Sequence, residues 1–151
     1  MGSREDNVER VKLGYELFLA GRLDEALGMF DPGIVVEDRI DSPDAATFHG
    51  RDGFTKYLMT WLEPWEEFSL EPEAFHATDT EVVAFIRQRG RIRGINASVE
   101  ERVAHVWTVG HDEEGTPRAI RYRVFTSRDE ALAAVGLGGL RARVEPAFRA
   151  A

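Results

Sequence analysis

Apolar positions along the chain fall first at helical spacing and then at alternating spacing. Val8, Val11, Tyr15, Phe18 and Leu19 form one stripe of a helix that begins near Asp6 or Asn7 and closes at Ala20-Gly21. Leu23, Ala26, Leu27 and Phe30 then mark a short second helix, stopped by Asp31-Pro32-Gly33. From Ile34 to Asp41 the period is two, so Ile34, Val36, Asp38 and Ile40 share one strand face, and Val35, Glu37, Arg39 and Asp41 the other. A loop at Ser42-Pro43-Asp44 follows. Gly50-Arg51-Asp52-Gly53 then leads into a third helix with an aromatic face (Phe54, Tyr57, Leu58, Trp61, Leu62, Trp65) that ends near Pro64.

Beyond Glu66 the pattern is that of strands. Phe68 and Leu70 begin one, bent at Pro72 and resuming through Phe75. Turns at Ala77-Thr78-Asp79-Thr80, Gly94-Ile95-Asn96 and Asp112-Glu113-Glu114-Gly115 separate three more, spanning 81–93, 99–109 and 119–126. Ser127 followed by Glu130 is a capping box for a short helix to Val135, stopped by Gly136. The sequence thus predicts an α+β domain over residues 1–136, three helices against one face of an antiparallel sheet, and a loosely held tail over 137–151. LFLAGRLDEALGMF resembles half of a tetratricopeptide unit, but no second copy follows at the ~34-residue period a solenoid needs.

Composition narrows the function. A chain of 151 residues buries roughly 70% of its unfolded surface around one core. The net charge of −8 disfavours nucleic acid and anionic membrane as partners. Without cysteine there is no disulfide or thiolate chemistry, which suits a cytoplasmic location. No apolar run reaches the ~20 residues of a membrane span. His49, His76, His105 and His111 have no ligand spacing with carboxylates, so no metal is expected. No GxGxxG, P-loop or GxSxG pattern is present, and no cofactor is expected.

One residue disturbs the strand pattern. Asp38 lies in register with three aliphatic side chains, so either it stands at the mouth of an apolar pocket or the strand ends before it. Arg87, Arg89, Arg91 and Arg93 alternate on one strand face. They form a solvated row paired with glutamates, or Arg87 reaches inward as the partner of Asp38.

In the order AGRLDEALGMF, VVEDRID, HGRDGFTKYL and then long strands, residues 7–137 resemble the NTF2-like superfamily, in particular SnoaL-like domains and ketosteroid isomerases. The stretches VAFIRQRGRIRG, ERVAHVWTV and RYRVFTSRDEALAAVGL resemble an actinobacterial-type subgroup of mostly unassigned function. The resemblance implies a cone, a curved antiparallel sheet wrapped around three N-terminal helices, with an internal apolar cavity and a homodimer formed through the sheet face. It places the general base of the isomerases on Asp38, in a chemistry of proton abstraction beside a carbonyl. The two oxyanion donors of those enzymes fall on Gly14, one residue from Tyr15, and on Ala104, beside His105. Losing one such donor costs roughly 3–4 kcal/mol in a barrier, which argues against the same isomerisation by the same means and favours a non-catalytic module, unless Tyr57 and Tyr122 replace the donors.

The implied catalytic set is Asp38, Tyr57 and Tyr122. The implied substrate contacts are Tyr15, Phe30, Phe54, Trp61, Phe85, Arg87 and Val106, and Trp65 is a further candidate for the cavity wall. The same resemblance turns Ala104 and Val106 toward the cavity, and therefore His105 and Trp107 outward to a dimer interface. The expected function is binding of a small hydrophobic molecule or cofactor-independent acid–base catalysis of isomerase, cyclase or dehydratase type. The alternative is a non-catalytic binding or dimerisation module.

Overall fold

The computed structural model describes residues 4–140 apart from Asn96. Its elements run α1 (Arg4–Leu19), α2 (Leu23–Leu27), β1 (Phe30–Asp38), β2 (Ala46–His49), α3 (Gly50–Leu62), β3 (Trp65–Ala77), β4 (Glu81–Ile92), β5 (Ser98–His111), β6 (Pro117–Phe125) and α4 (Arg128–Ala134). A short 3-10 turn follows at Gly138–Leu140. The six strands form one curved sheet in the order β2-β1-β6-β5-β4-β3. Only β1 and β6 pair in parallel; the other neighbours are antiparallel. This is the α+β architecture read from the hydropathy pattern. Most of the presumed tail, residues 141–151, lies outside the described residues. No helix among the described residues is long and apolar enough to cross a membrane.

Three boundaries differ from the sequence reading. β1 starts at Phe30, passing through Pro32 and Gly33, and is accommodated by a register shift between Phe30 and Val35. It stops at Asp38 because Arg39 turns the backbone to a φ of 50°, a left-handed conformation rare outside glycine. Residues 46–49, which carry no strand pattern, become the edge strand β2 by pairing with β1.

The sheet is buried on both faces. On the concave face Ile34, Val36, Ala84, Ile86, Val103, Trp107, Tyr122 and Val124 pack with side chains of α1 and α3. On the convex face Val83, Phe85, Ala104, Val106 and Phe125 pack against Ala131 and Leu132 of α4. α4 is tied down at its start. Ser127 Oγ accepts from the Glu130 N–H (3.2 Å), and the Asp41 carboxylate accepts from the N–H groups of Thr126 and Ser127. The Glu130 side chain bonds to Asp41 rather than returning to Ser127, so the capping box is only half closed.

β3 forms the long outer edge of the sheet, and its pairing with β4 breaks at Trp65/Glu67 and at Pro72/Ala74. Opposite Phe68, Gly90 is needed for space: a Cβ there would lie 2.0 Å from the Glu67 carbonyl oxygen and 2.7 Å from Trp65 Cε3. Since a backbone oxygen cannot swing aside, Gly90→Ala is expected to destabilise the fold by roughly 1–3 kcal/mol, as overpacking does. A lower urea midpoint at unchanged slope is the readout.

Candidate functional site

Between the helices and the concave face lies a cavity of about 120 Å³. Val11, Tyr15 and Phe18 of α1 line one side of it, and Phe54, Tyr57 and Trp61 of α3 another. Both sets follow the helical repeat that puts them on one stripe. The sheet contributes alternate residues: Val103, His105, Trp107 and Val109 from β5, and Tyr122 and Val124 from β6. Arg10 and Arg118 line it too, as do Asp38, Arg39 and Thr126.

Asp38 closes β1 half-buried, and burial raises its carboxyl pKa above the usual 3.8. The Arg39 charge and backbone N–H oppose that shift without cancelling it. Tyr57 and Tyr122 stand together, with their hydroxyl oxygens 3.3 Å apart. Burial, and less strongly the Asp38 charge, push both phenols up, so they remain protonated donors at any physiological pH. A second polar group lies among the aromatic rings. Trp107 Nε1 donates to the Tyr15 hydroxyl (2.9 Å), and that hydroxyl is 2.7 Å from His105 Nδ1. Burial lowers the His105 pKa from 6.5 to about 3, so the imidazole is neutral. The cavity wall therefore combines one carboxylate at Asp38 and the guanidinium groups of Arg10, Arg39 and Arg118 with several neutral hydrogen-bonding groups.

Of the residues expected from the sequence, Tyr15, Phe30, Asp38, Phe54, Tyr57, Trp61 and Tyr122 line this cavity together. Phe85, Arg87 and Val106 do not. Phe85 and Val106 are in the convex core under α4, one strand position out of phase with the cavity wall. Arg87 faces the same outer side and pairs with Glu100 (3.0 Å) and Glu71 (3.8 Å), the solvated row rather than a partner for Asp38. Trp65 packs on Trp61 at 6.0 Å between centroids without lining the cavity.

The reverse correction applies to His105 and Trp107, which face the cavity while Ala104 and Val106 face α4. Residues 103–107 of β5 are buried without interruption, so alternation of polarity cannot tell inside from outside there. The shared face of Val103, His105, Trp107 and Val109 was the available signal. Tyr15 and His105, the neighbours of the two positions on which the isomerase donors fall, both line the cavity. Arg39, Gln88 and Thr126, which also line the cavity, carry no sequence signal that marks them.

Comparison with known proteins agrees with this architecture. The model of the SnoaL-like domain matches residues 11–133. The chain belongs to the SnoaL-like domain family. An NTF2-like protein of unknown function from Burkholderia pseudomallei K96243 superposes on this SnoaL-like chain with a TM-score of 0.65 at 21% identity, covering 84% of this chain and 95% of that one. TerC, co-crystallised with polyporic acid, gives 0.63 at 19% identity over 88% and 98% of the two chains. SalBIII, an epoxide hydrolase/cyclase-like enzyme of pyran ring formation in the polyether salinomycin, gives 0.64 at 19% identity over 83% and 93%. At these identities the likeness is one of fold. No curated protein matches the chain.

Proposed function

We propose that this SnoaL-like domain is a cofactor-independent acid–base enzyme, of isomerase, cyclase or dehydratase type, acting on a small and largely apolar molecule. Asp38 is the base, and the Tyr57–Tyr122 pair is the donor for the oxygen that gains charge. The observation that carries this reading is a half-buried carboxylate with a raised pKa, lining the same apolar cavity as two phenols that cannot ionise. An engineered cavity of ~150 Å³ holds one benzene ring, so about 120 Å³ limits the enclosed part of a ligand to a single small ring. The substrate contacts implied by the resemblance then reduce to Tyr15, Phe30, Phe54 and Trp61. The proposal retains the homodimer through the sheet face and the actinobacterial-type subgroup, on family likeness alone.

A second reading, a non-catalytic binding or dimerisation module, draws support from Asp38 itself. Its carboxylate accepts from the Arg39 backbone N–H. A thermal-shift screen of monocyclic ketones, lactones and epoxides against wild type and Asp38→Asn separates the two. A ligand at a hundred times its Kd adds about 2.7 kcal/mol, roughly 5–10 °C in Tm for a chain of this size. Hits whose shift changes in Asp38→Asn place that carboxylate beside the ligand. Hits indifferent to it leave a binding cavity and remove the base.

A further inference from the structure

We propose that His105 is the hydrogen-bond donor that orients a ligand carbonyl in the cavity, held as its Nε2–H tautomer by Tyr15 and Trp107. The Trp107 indole can only donate, so the 2.9 Å contact makes the Tyr15 oxygen an acceptor. The Tyr15 hydroxyl still has its own proton to place. Among the described residues its one other hydrogen-bond contact is His105 Nδ1 at 2.7 Å. If Nδ1 carried the proton instead, the buried tyrosine hydroxyl would be left without an acceptor, the costly outcome for a group sealed from water. The bond therefore runs from Tyr15 to Nδ1, and a neutral imidazole so bound keeps its proton on Nε2.

That N–H is available. Among the described residues, the buried side-chain polar atoms without a partner belong to Arg39, His76, Arg87 and Arg123. His105 Nε2 is not among these sealed atoms and has no hydrogen bond to any described residue, so it keeps contact with the cavity space that the residue lines. Around it are aromatic rings, with Tyr122 meeting the imidazole edge-on at 5.1 Å between centroids and Tyr15 stacked at 5.9 Å. An uncharged donor among aromatic rings suits an uncharged acceptor, which is the oxygen of a ketone, enone or lactone rather than a carboxylate or phosphate.

This inference rests on reading the cavity as a ligand site and deepens it by fixing which end of the ligand meets β5. The test is long-range ¹H–¹⁵N correlation of the histidine rings, assigned with His105→Phe, during titration with acetophenone and with its hydrocarbon analogue ethylbenzene. The expected spectrum has a bare Nδ1 and a protonated Nε2 for His105 at pH 6. Acetophenone moves the Nε2 signal and ethylbenzene does not. Tyr15→Phe, which keeps the ring and removes the hydroxyl, lets the two tautomers mix. Acetophenone then binds about fivefold to tenfold more weakly, the factor carried by one neutral hydrogen bond. A protonated Nδ1, an imidazolium at pH 6, or an Nε2 signal unmoved by acetophenone up to its solubility limit overturns the inference. The tautomer is read without turnover, so it can fail while Asp38 remains the base. Loss of the Asp38 reading leaves the imidazole signals as they are.

Discussion

Asp38→Asn is expected to lower kcat by about 10²–10⁴-fold on any substrate the thermal screen identifies, the range a positioned general base contributes. Asparagine has the shape of the carboxylate but neither its charge nor its basicity, so KM should move as well, in step with the changed ligand shift in the thermal screen. The same substitution should stabilise the folded chain at neutral pH, and the sign follows from linkage. The carboxyl pKa of Asp38 is higher folded than unfolded, because burial penalises the charged form. Between those two values the folded state binds more protons than the unfolded state, so stability falls as pH rises through that window. Below about pH 4 both states are protonated and the penalty is absent. Wild type and Asp38→Asn should therefore melt alike in acid, and the variant should melt higher at pH 7. A variant that loses turnover and melts lower at pH 7 would mean that the carboxylate holds structure rather than chemistry.

Trp107→Ala is expected to cost about 3–5 kcal/mol, a large share of the 5–15 kcal/mol that a domain of this size has in total. Its ring lies at the centre of the concave core, with centroids 4.3 Å from Tyr122, 5.5 Å from Phe30, 6.0 Å from Tyr15 and 6.3 Å from Phe54. Truncation removes all four ring contacts and leaves the Tyr15 hydroxyl without the indole donor. Trp107→Phe separates the two losses, because it keeps most of the packing and removes only the N–H. Urea unfolding of both variants measures the difference. A Trp107→Phe cost close to that of Trp107→Ala would show that the hydrogen bond, not the ring stack, dominates.

The fold was legible because helical and alternating periods are separated along the chain, with glycine, proline and capping residues at the joins. β1 through Asp38 and the aromatic face of α3 could be read this way. The wall on β5 could not. Where α4 covers the convex face, Ala104 and Val106 are as apolar as the cavity-facing Val103 and Trp107, and burial on both sides erases the two-residue signal. Phe85 and Val106 were assigned to the cavity for that reason, and His105 was turned outward. Arg87 shows the opposite situation. Its glutamate partners lie on neighbouring strands, Glu71 on β3 and Glu100 on β5, so strand pairing and not local sequence decides where its charge goes. The left-handed turn at Arg39, which ends β1 and leaves Asp38 at the strand terminus, had no glycine or asparagine to announce it.

The broken edge of β3 also bears on how copies of this protein can meet. Thirteen residues of outermost strand present a row of main-chain groups onto which another molecule's strand could add. Here Pro72 offers no N–H, and two register breaks interrupt the row. Growth of the sheet from one molecule into the next is therefore blocked along its longest open side. Any pairing of copies that adds strand to strand would have to use another part of the sheet than β3.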